Sequence, residues 1–238
     1  IMRVCVAECG MPRDEFLRSI GADPSKRLIV IAVPGDWKTP YTKDIMLELD
    51  RRIDAGHFGP LQVLARFHPK YKDASEGLKL KHFIFDRPGT SVSKKTEFAI
   101  DVGVAGAFAW TFTDADVRRL ANSLRHSHVL INTESTMTLD AAAVGTPTIL
   151  IGYDGDHRVT YWDSVARVYE REHYQHVTET GAAPLVKTHD ELEREIKNYL
   201  ENPEYRRAER DTLVETMLYK TDGKAAERIA NRVLEMLE

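Results

Sequence analysis

Residues 132–147 read NTESTMTLDAAAVGTP. The stretch lies between two apolar runs, HVLI at 128–131 and TILI at 148–151. Runs this short and this apolar suit strands buried on both faces. The segment between them is rich in alanine and closed by Gly145 and Pro147, so it reads as a crossover helix. A strand–helix–strand unit of this kind belongs to a parallel sheet. A helix made only for packing needs neither the Glu134-Ser135-Thr136 start nor the lone carboxylate of Asp140 part-way along.

The same alternation runs outward on the N-terminal side. RLIVIAVPG (27–35) is a continuous apolar strand ending in Pro-Gly. A helix is expected over 41–55, with Ile45, Leu49 and Ile53 on one face. LQVLARF (61–67) and HFIF (82–85) read as strands, and RPGTSVSKK (87–95) as a long polar surface loop. AWTF (109–112) fits a further short strand, and 113–127 fits a helix opened by a Thr113–Asp116 capping box. The expected fold is therefore α/β: a Rossmann-like parallel sheet with helices on both faces, right-handed crossovers, and ligands outside the carboxyl ends of the strands.

After residue 152 the pattern turns helical, over about 158–172, 189–201, 203–218 and 222–237, with short apolar pieces at 174–177 and 184–187. These helices are amphipathic and are expected to pack back on the same domain. The division is then a linker with a lead-in strand over 1–26, a Rossmann-like core over 27–152 and a helical C-terminal part over 153–238.

The chain has 238 residues, enough for one large domain with a sizeable core. Hydrophobic residues at 42% and charged residues at 29% suit a globular protein, and no apolar run approaches the ~18 residues of a membrane span. Lys plus Arg at 33 against Asp plus Glu at 37 argues against a nucleic-acid partner. Cys5 and Cys9, the two cysteines, cannot form a zinc site alone and read as buried thiols of a reduced, cytoplasmic protein. No signal peptide is evident. The chain begins with Ile1 and is expected to be a piece of something longer.

Helix N-termini carry unpaired N–H groups and attract phosphate. Ser135 and Thr136 can add hydroxyl donors there, and Asp140 can accept from vicinal hydroxyls such as those of a ribose. The alternative is that Ser135 or Thr136 only caps the helix and Asp140 is a solvated charge.

STMTLDAAAVGTPTILIGYD (135–154) resembles the donor-nucleotide motif of GT-B glycosyltransferases, in which an acid-Ala-x-x-x-Gly-x-Pro pattern follows a Ser/Thr turn. Here the pattern falls on Asp140, Ala141, Gly145 and Pro147, with Asp in place of the commoner Glu. The second glutamate of the retaining signature is missing, and Asn132 and Glu134 stand near its place. GMPRDEFLRSIGADPSKRLIVIAVPG (10–35) resembles the lead-in and first strand of the same domain. RFHPK (66–70) resembles the Arg-x-His-Pro of glycerophosphate and related surface-polymer transferases, and the tail from 199 resembles their closing helices.

The resemblance implies the donor-binding, C-terminal half of a GT-B enzyme. Ser135, Thr136, Arg66, His68 and Gly35 would face the donor diphosphate, Asp140 the ribose, and Thr111 and Thr113 the base. Glu134 and His157 are further candidates. It implies a nucleotide-diphosphate sugar as donor substrate, with CDP-glycerol as the alternative, and a glycan or polyol-phosphate acceptor. It also implies no metal or other cofactor, and an N-terminal acceptor domain that would carry the general base and any peripheral membrane association.

Competing readings are a non-catalytic nucleotide-binding module and a sugar-nucleotide epimerase of the same fold. The epimerases' Gly-Gly-x-x-Glu-Glu start appears here as Ser135-Thr136 followed by Leu139-Asp140. His173-x-x-His176 is a weak zinc signal without further ligands nearby, and Ser91-x-x-Lys94 lacks the partner motifs of a penicillin-binding site. There is no Walker A or G-x-G-x-x-G sequence.

Overall fold

A computed structural model describes residues 10–34, 41–68, 77–88 and 113–237. The expected strand at 109–112, most of the 87–95 loop, Gly35, Thr111 and both cysteines lie outside the described residues.

Among the described residues six strands form one parallel sheet: β1 (Arg27–Val33), β2 (Leu61–Phe67), β3 (Phe83–Asp86), β4 (Val129–Asn132), β5 (Thr148–Ile151) and β6 (Leu185–Val186). Their order is β3-β2-β1-β4-β5-β6, and every neighbouring pair runs parallel. The chain lays β2 and β3 on one side of β1, then returns to lay β4, β5 and β6 on the other.

The continuous apolar strands follow from double burial. Successive side chains point to opposite faces. In β1, Ile29, Ile31 and Val33 join a core with α2 (Thr42–Asp54) and α6 (His189–Glu201), through Ile45, Met46, Leu49, Leu192 and Ile196. Leu28, Val30 and Ala32 face the opposite core, with Phe16 and Leu17 of α1 (Arg13–Ser19), Leu124 of α3 (Asp114–His126) and Ala141 of α4 (Met137–Ala143). Leu150 of β5 faces a third cluster built from a 3-10 helix (Val165–Glu170), α5 (Glu172–Glu179) and α7 (Arg207–Leu218). Thr113 caps α3 with the expected capping box. Gly145, at φ +84°, supplies the left-handed residue that ends α4.

The C-terminal part differs from expectation in three places. Residues 158–172 do not form one helix, because Asp154 is buried and folds the chain into a loop. Its carboxylate accepts from Ser164 Oγ at 2.6 Å and from the Val165 N–H at 2.9 Å. The apolar piece at 174–177 lies inside α5, while 184–187 contributes β6, so the sheet extends past residue 152. The last helix, α8 (Ala225–Glu235), buries none of its residues; Ile229, Val233 and Leu237 are exposed rather than packed on the domain.

Candidate nucleotide-binding site

The strand order reverses between β1 and β4, so their carboxyl ends open the crevice in which doubly wound sheets hold ligands. Ala32, Thr42, Asn132, Thr133 and Ile151 line a small cavity of about 10 Å³ there. The quoted turn, residues 132–136, leaves β4 at this point. A far larger cleft, about 1000 Å³, lies at the amino ends of β4 and β5. Its wall carries Arg125, Arg207 and Arg210 against Glu204, Asp211 and Glu215. It holds none of the motif residues 132–140, so size alone does not mark the ligand face.

Ser135 is a cap. Its Oγ accepts from the Met137 N–H at 3.2 Å, a local turn that starts α4 one residue later than its hydroxyls suggest. Thr136 is exposed, and its hydroxyl makes no cap bond. Asp140 lies on the α4 stripe shared with Met137 and Val144 and is half-buried. Its carboxylate has no hydrogen-bond or ion-pair partner among the described residues, and burial pushes its pKa upward. An unpaired, partly desolvated carboxylate one turn into a helix at a ligand face is suited to accept ligand hydroxyls.

Beneath the turn runs a chain of hydrogen bonds. Tyr174 of α5 donates its O–H to the Thr133 carbonyl at 3.1 Å. Thr138 Oγ1 lies 3.1 Å from the same phenol oxygen, and Asn132 Nδ2 donates to Thr138 Oγ1 at 2.9 Å. All four residues are buried. Glu134 is held from the same segment: Arg171 Nη1 sits 2.7 Å from its carboxylate and His173 Nε2 sits 3.4 Å from it.

Arg66 is turned inward. It is 5% exposed, and Nη1 is taken by Asp86, which is directly opposite it in the β2–β3 register. Asp86 accepts from Arg119 Nε as well, at 2.6 Å. The Arg66 guanidinium is held against a carboxylate; desolvation is the largest influence on it and lowers its pKa, while Asp86 opposes that shift. His68 is exposed at the end of β2, and its N–H donates to the Val33 carbonyl at 3.1 Å, tying the ends of β1 and β2 together.

The Thr113 hydroxyl is occupied by its capping box, accepting from the Asp116 N–H at 3.2 Å and donating to the Asp116 carboxylate at 2.9 Å. His157 stands at the rim, 2.7 Å from Asp44 Oδ2 and stacked on Tyr41 at 4.2 Å. The structure thus brings Glu134, Ser135, Thr136 and Asp140 together. It packs Thr138, Arg171 and Tyr174, for which no local sequence signal exists, around that turn, and pairs Arg66 with Asp86.

Fold and crevice define one Rossmann-like half of a GT-B architecture. A family model described as CDP-glycerol:poly(glycerophosphate) glycerophosphotransferase matches residues 158–235. The C-terminal part of the chain is therefore similar to that family. Among solved structures, the wall teichoic acid polymerase TagF matches over 100% of this chain and 49% of its own, at 17% identity and a TM-score of 0.53, in a variant soaked with CDPG. MnaA of S. aureus, in a co-structure with UDP, matches over 93% of this chain and 48% of its own, at 15% identity and a TM-score of 0.53. A putative UDP-N-acetylglucosamine 2-epimerase from Listeria monocytogenes matches over 93% and 47%, at 15% identity and a TM-score of 0.50. The chain spans about half the length of these structures, and at such identities the likeness is one of fold. No curated protein matches it in sequence. Among the described residues no helix is long and apolar enough to cross a membrane.

Proposed function

We propose that the chain is the donor-binding half of a GT-B transferase that builds a surface polymer, with a CDP-linked polyol such as CDP-glycerol as its donor. One observation carries this reading. The segment matched by the glycerophosphotransferase family, residues 158–235, includes Arg171 and Tyr174, which fasten onto the turn at the carboxyl end of β4. The part similar to the family is therefore the part that shapes the candidate donor site.

In this reading Thr136 and the backbone of the turn meet the donor diphosphate, and Asp140 accepts from the ribose hydroxyls. Charge developing on the leaving nucleotide is met by fixed dipoles and hydroxyls. The general base, the polyol-phosphate or glycan acceptor site and any peripheral attachment to a membrane belong to a second, N-terminal domain, and the enzyme works on the cytoplasmic side. A nucleotide-sugar donor is the second reading, favoured by the UDP-bearing relative of the same fold.

Calorimetric titration with CDP-glycerol, CDP, UDP, UDP-N-acetylglucosamine, GDP and ADP tests this, repeated with Asp140→Ala. Binding of the cytidine compounds, lost in the variant, is the expected result. Preference for the uridine compounds would select the second reading. Binding that ignores Asp140→Ala would remove the ribose assignment.

A further inference from the structure

The hydrogen-bond chain under the turn has a direction. The Thr133 carbonyl can only accept, so the Tyr174 hydroxyl donates to it. The phenol oxygen then accepts from Thr138 Oγ1, and Thr138 Oγ1 accepts from Asn132 Nδ2. The Asn132 amide is oriented by this relay, with Nδ2 also 3.4 Å from the Ser135 carbonyl. Its Oδ1 is left buried and without a partner, on a residue 1% exposed that lines the β1–β4 cavity. A buried acceptor without a partner costs free energy, which a donor arriving with a ligand would recover.

We propose that Tyr174 is a positioning residue for the donor site: through Thr133 and Thr138 it sets the 132–136 turn and turns Asn132 Oδ1 toward the crevice as an acceptor for a ligand hydroxyl. This rests on the donor-site reading above. Tyr174 lies 36 residues from Thr138 and 41 from Thr133 in sequence, so the site is completed only when α5 docks. Linked bonds of this kind polarise one another and act as a unit.

Tyr169 supplies the matched control. Its ring packs edge-on to Tyr174 at 5.4 Å and is equally buried, but its hydroxyl donates to the Ile151 carbonyl at 2.6 Å, on β5 and outside the relay. The experiment is calorimetry of nucleotide binding by the wild type, Tyr174→Phe, Tyr169→Phe, and each combined with Ser135→Ala, with thermal melts alongside. Tyr174→Phe should weaken binding about tenfold, the size expected when a buried carbonyl loses its donor at the site. Tyr169→Phe should cost clearly less affinity than Tyr174→Phe, under about twofold, while lowering the melting temperature comparably, since the Ile151 carbonyl it releases lies at the β5 wall of the crevice but outside the relay. The Tyr174 effect should shrink in the Ser135→Ala background, because both act through the same turn.

Should Tyr174→Phe not fold, Thr138→Val breaks the same relay and carries the same expectation. Unchanged affinity in the variant, or an effect fully additive with Ser135→Ala, overturns the proposal while leaving the donor reading intact. A wild type that binds none of the nucleotides overturns both.

Discussion

Asp86→Ala separates a structural arginine cluster from a ligand-binding one. Asp86 is 3% exposed and Arg66 is 5% exposed, and Asp86 is the carboxylate shared by Arg66 and Arg119. Removing it strands the Arg66 cation in the interior, because Nη2 of Arg66 is already buried without a partner. Breaking a buried pair by deleting one member costs about 3–5 kcal/mol. Against a total stability of roughly 5–15 kcal/mol that is a large share. For a chain of this size each kcal/mol is worth about 2–4 °C, so the melting temperature should fall by about 10 °C. Arg119 softens the loss only slightly, since its side chain is 37% exposed and can turn to water. The double variant Arg66→Met/Asp86→Leu replaces the pair with apolar volume and should recover most of the loss, to within about 1 kcal/mol of the wild type. Thermal melts and urea titrations of the three proteins read this directly, and nucleotide affinity should move less than about threefold in the double variant. A fall under about 1 kcal/mol for Asp86→Ala would refute the buried-pair argument. A tenfold loss of affinity in the double variant at unchanged stability would return Arg66 to the ligand.

Three further outcomes follow from the geometry. Asp140→Asn should stabilise the chain near pH 7 while weakening nucleotide binding: burial raises the folded-state pKa of Asp140, so the native state binds the extra proton and stability falls as pH rises from the ordinary carboxylate range through that raised value. The gain should disappear below that range, which melts at pH 3 and pH 7 would show. Arg52 is a hub, 13% exposed and bonded to Glu48 at 2.6 Å, Glu193 at 2.7 Å and Asp190 at 2.8 Å. The Arg51 and Arg52 bonds hold Glu48 down to about 2 against its burial, and although burial pushes Glu193 up, its bonds to Lys197, His57 and Arg52 outweigh it and hold it to about 2 as well. Their stabilisation is complete above the ordinary value of 4.5 and is lost as pH falls toward 2, and Arg52→Ala should flatten that acid limb of the stability curve. Gly152→Ala would place a Cβ 2.7 Å from Leu185 Cδ1 and 3.2 Å from the Val186 carbonyl, so β6 should be pushed off β5 at a cost of about 1–3 kcal/mol, checked by urea titration.

The sheet was legible because its strands are buried on both faces, and double burial leaves a local record. RLIVIAV and LQVLARF are apolar on both faces, apart from Arg27, Gln62 and Arg66, because α2 and α6 cover one face and α1, α3 and α4 the other. β6 left no such record: two residues pair with β5, too few to show a period. The 158–172 region carries Val165, Val168 and Tyr169 at helical spacing, yet Asp154 closes a loop over it, an interaction 10 and 11 residues long that no periodicity reports. For α8 the apolar stripe was correctly read, but a stripe states that a face is apolar and not what covers it. The site divides the same way. The place of Ser135, Thr136 and Asp140 at a strand's carboxyl end is a property of one strand–helix unit, so it could be read from sixteen consecutive residues. The partners of that unit could not. Asp86 meets Arg66 through strand register 20 residues away, and Tyr174 meets Thr133 across 41 residues through the docking of α5. Residue type and strand end mark where a ligand can sit; the tertiary register decides which of the marked side chains are already paired, and here it ties Arg66 to Asp86 and leaves Asp140 without a partner among the described residues.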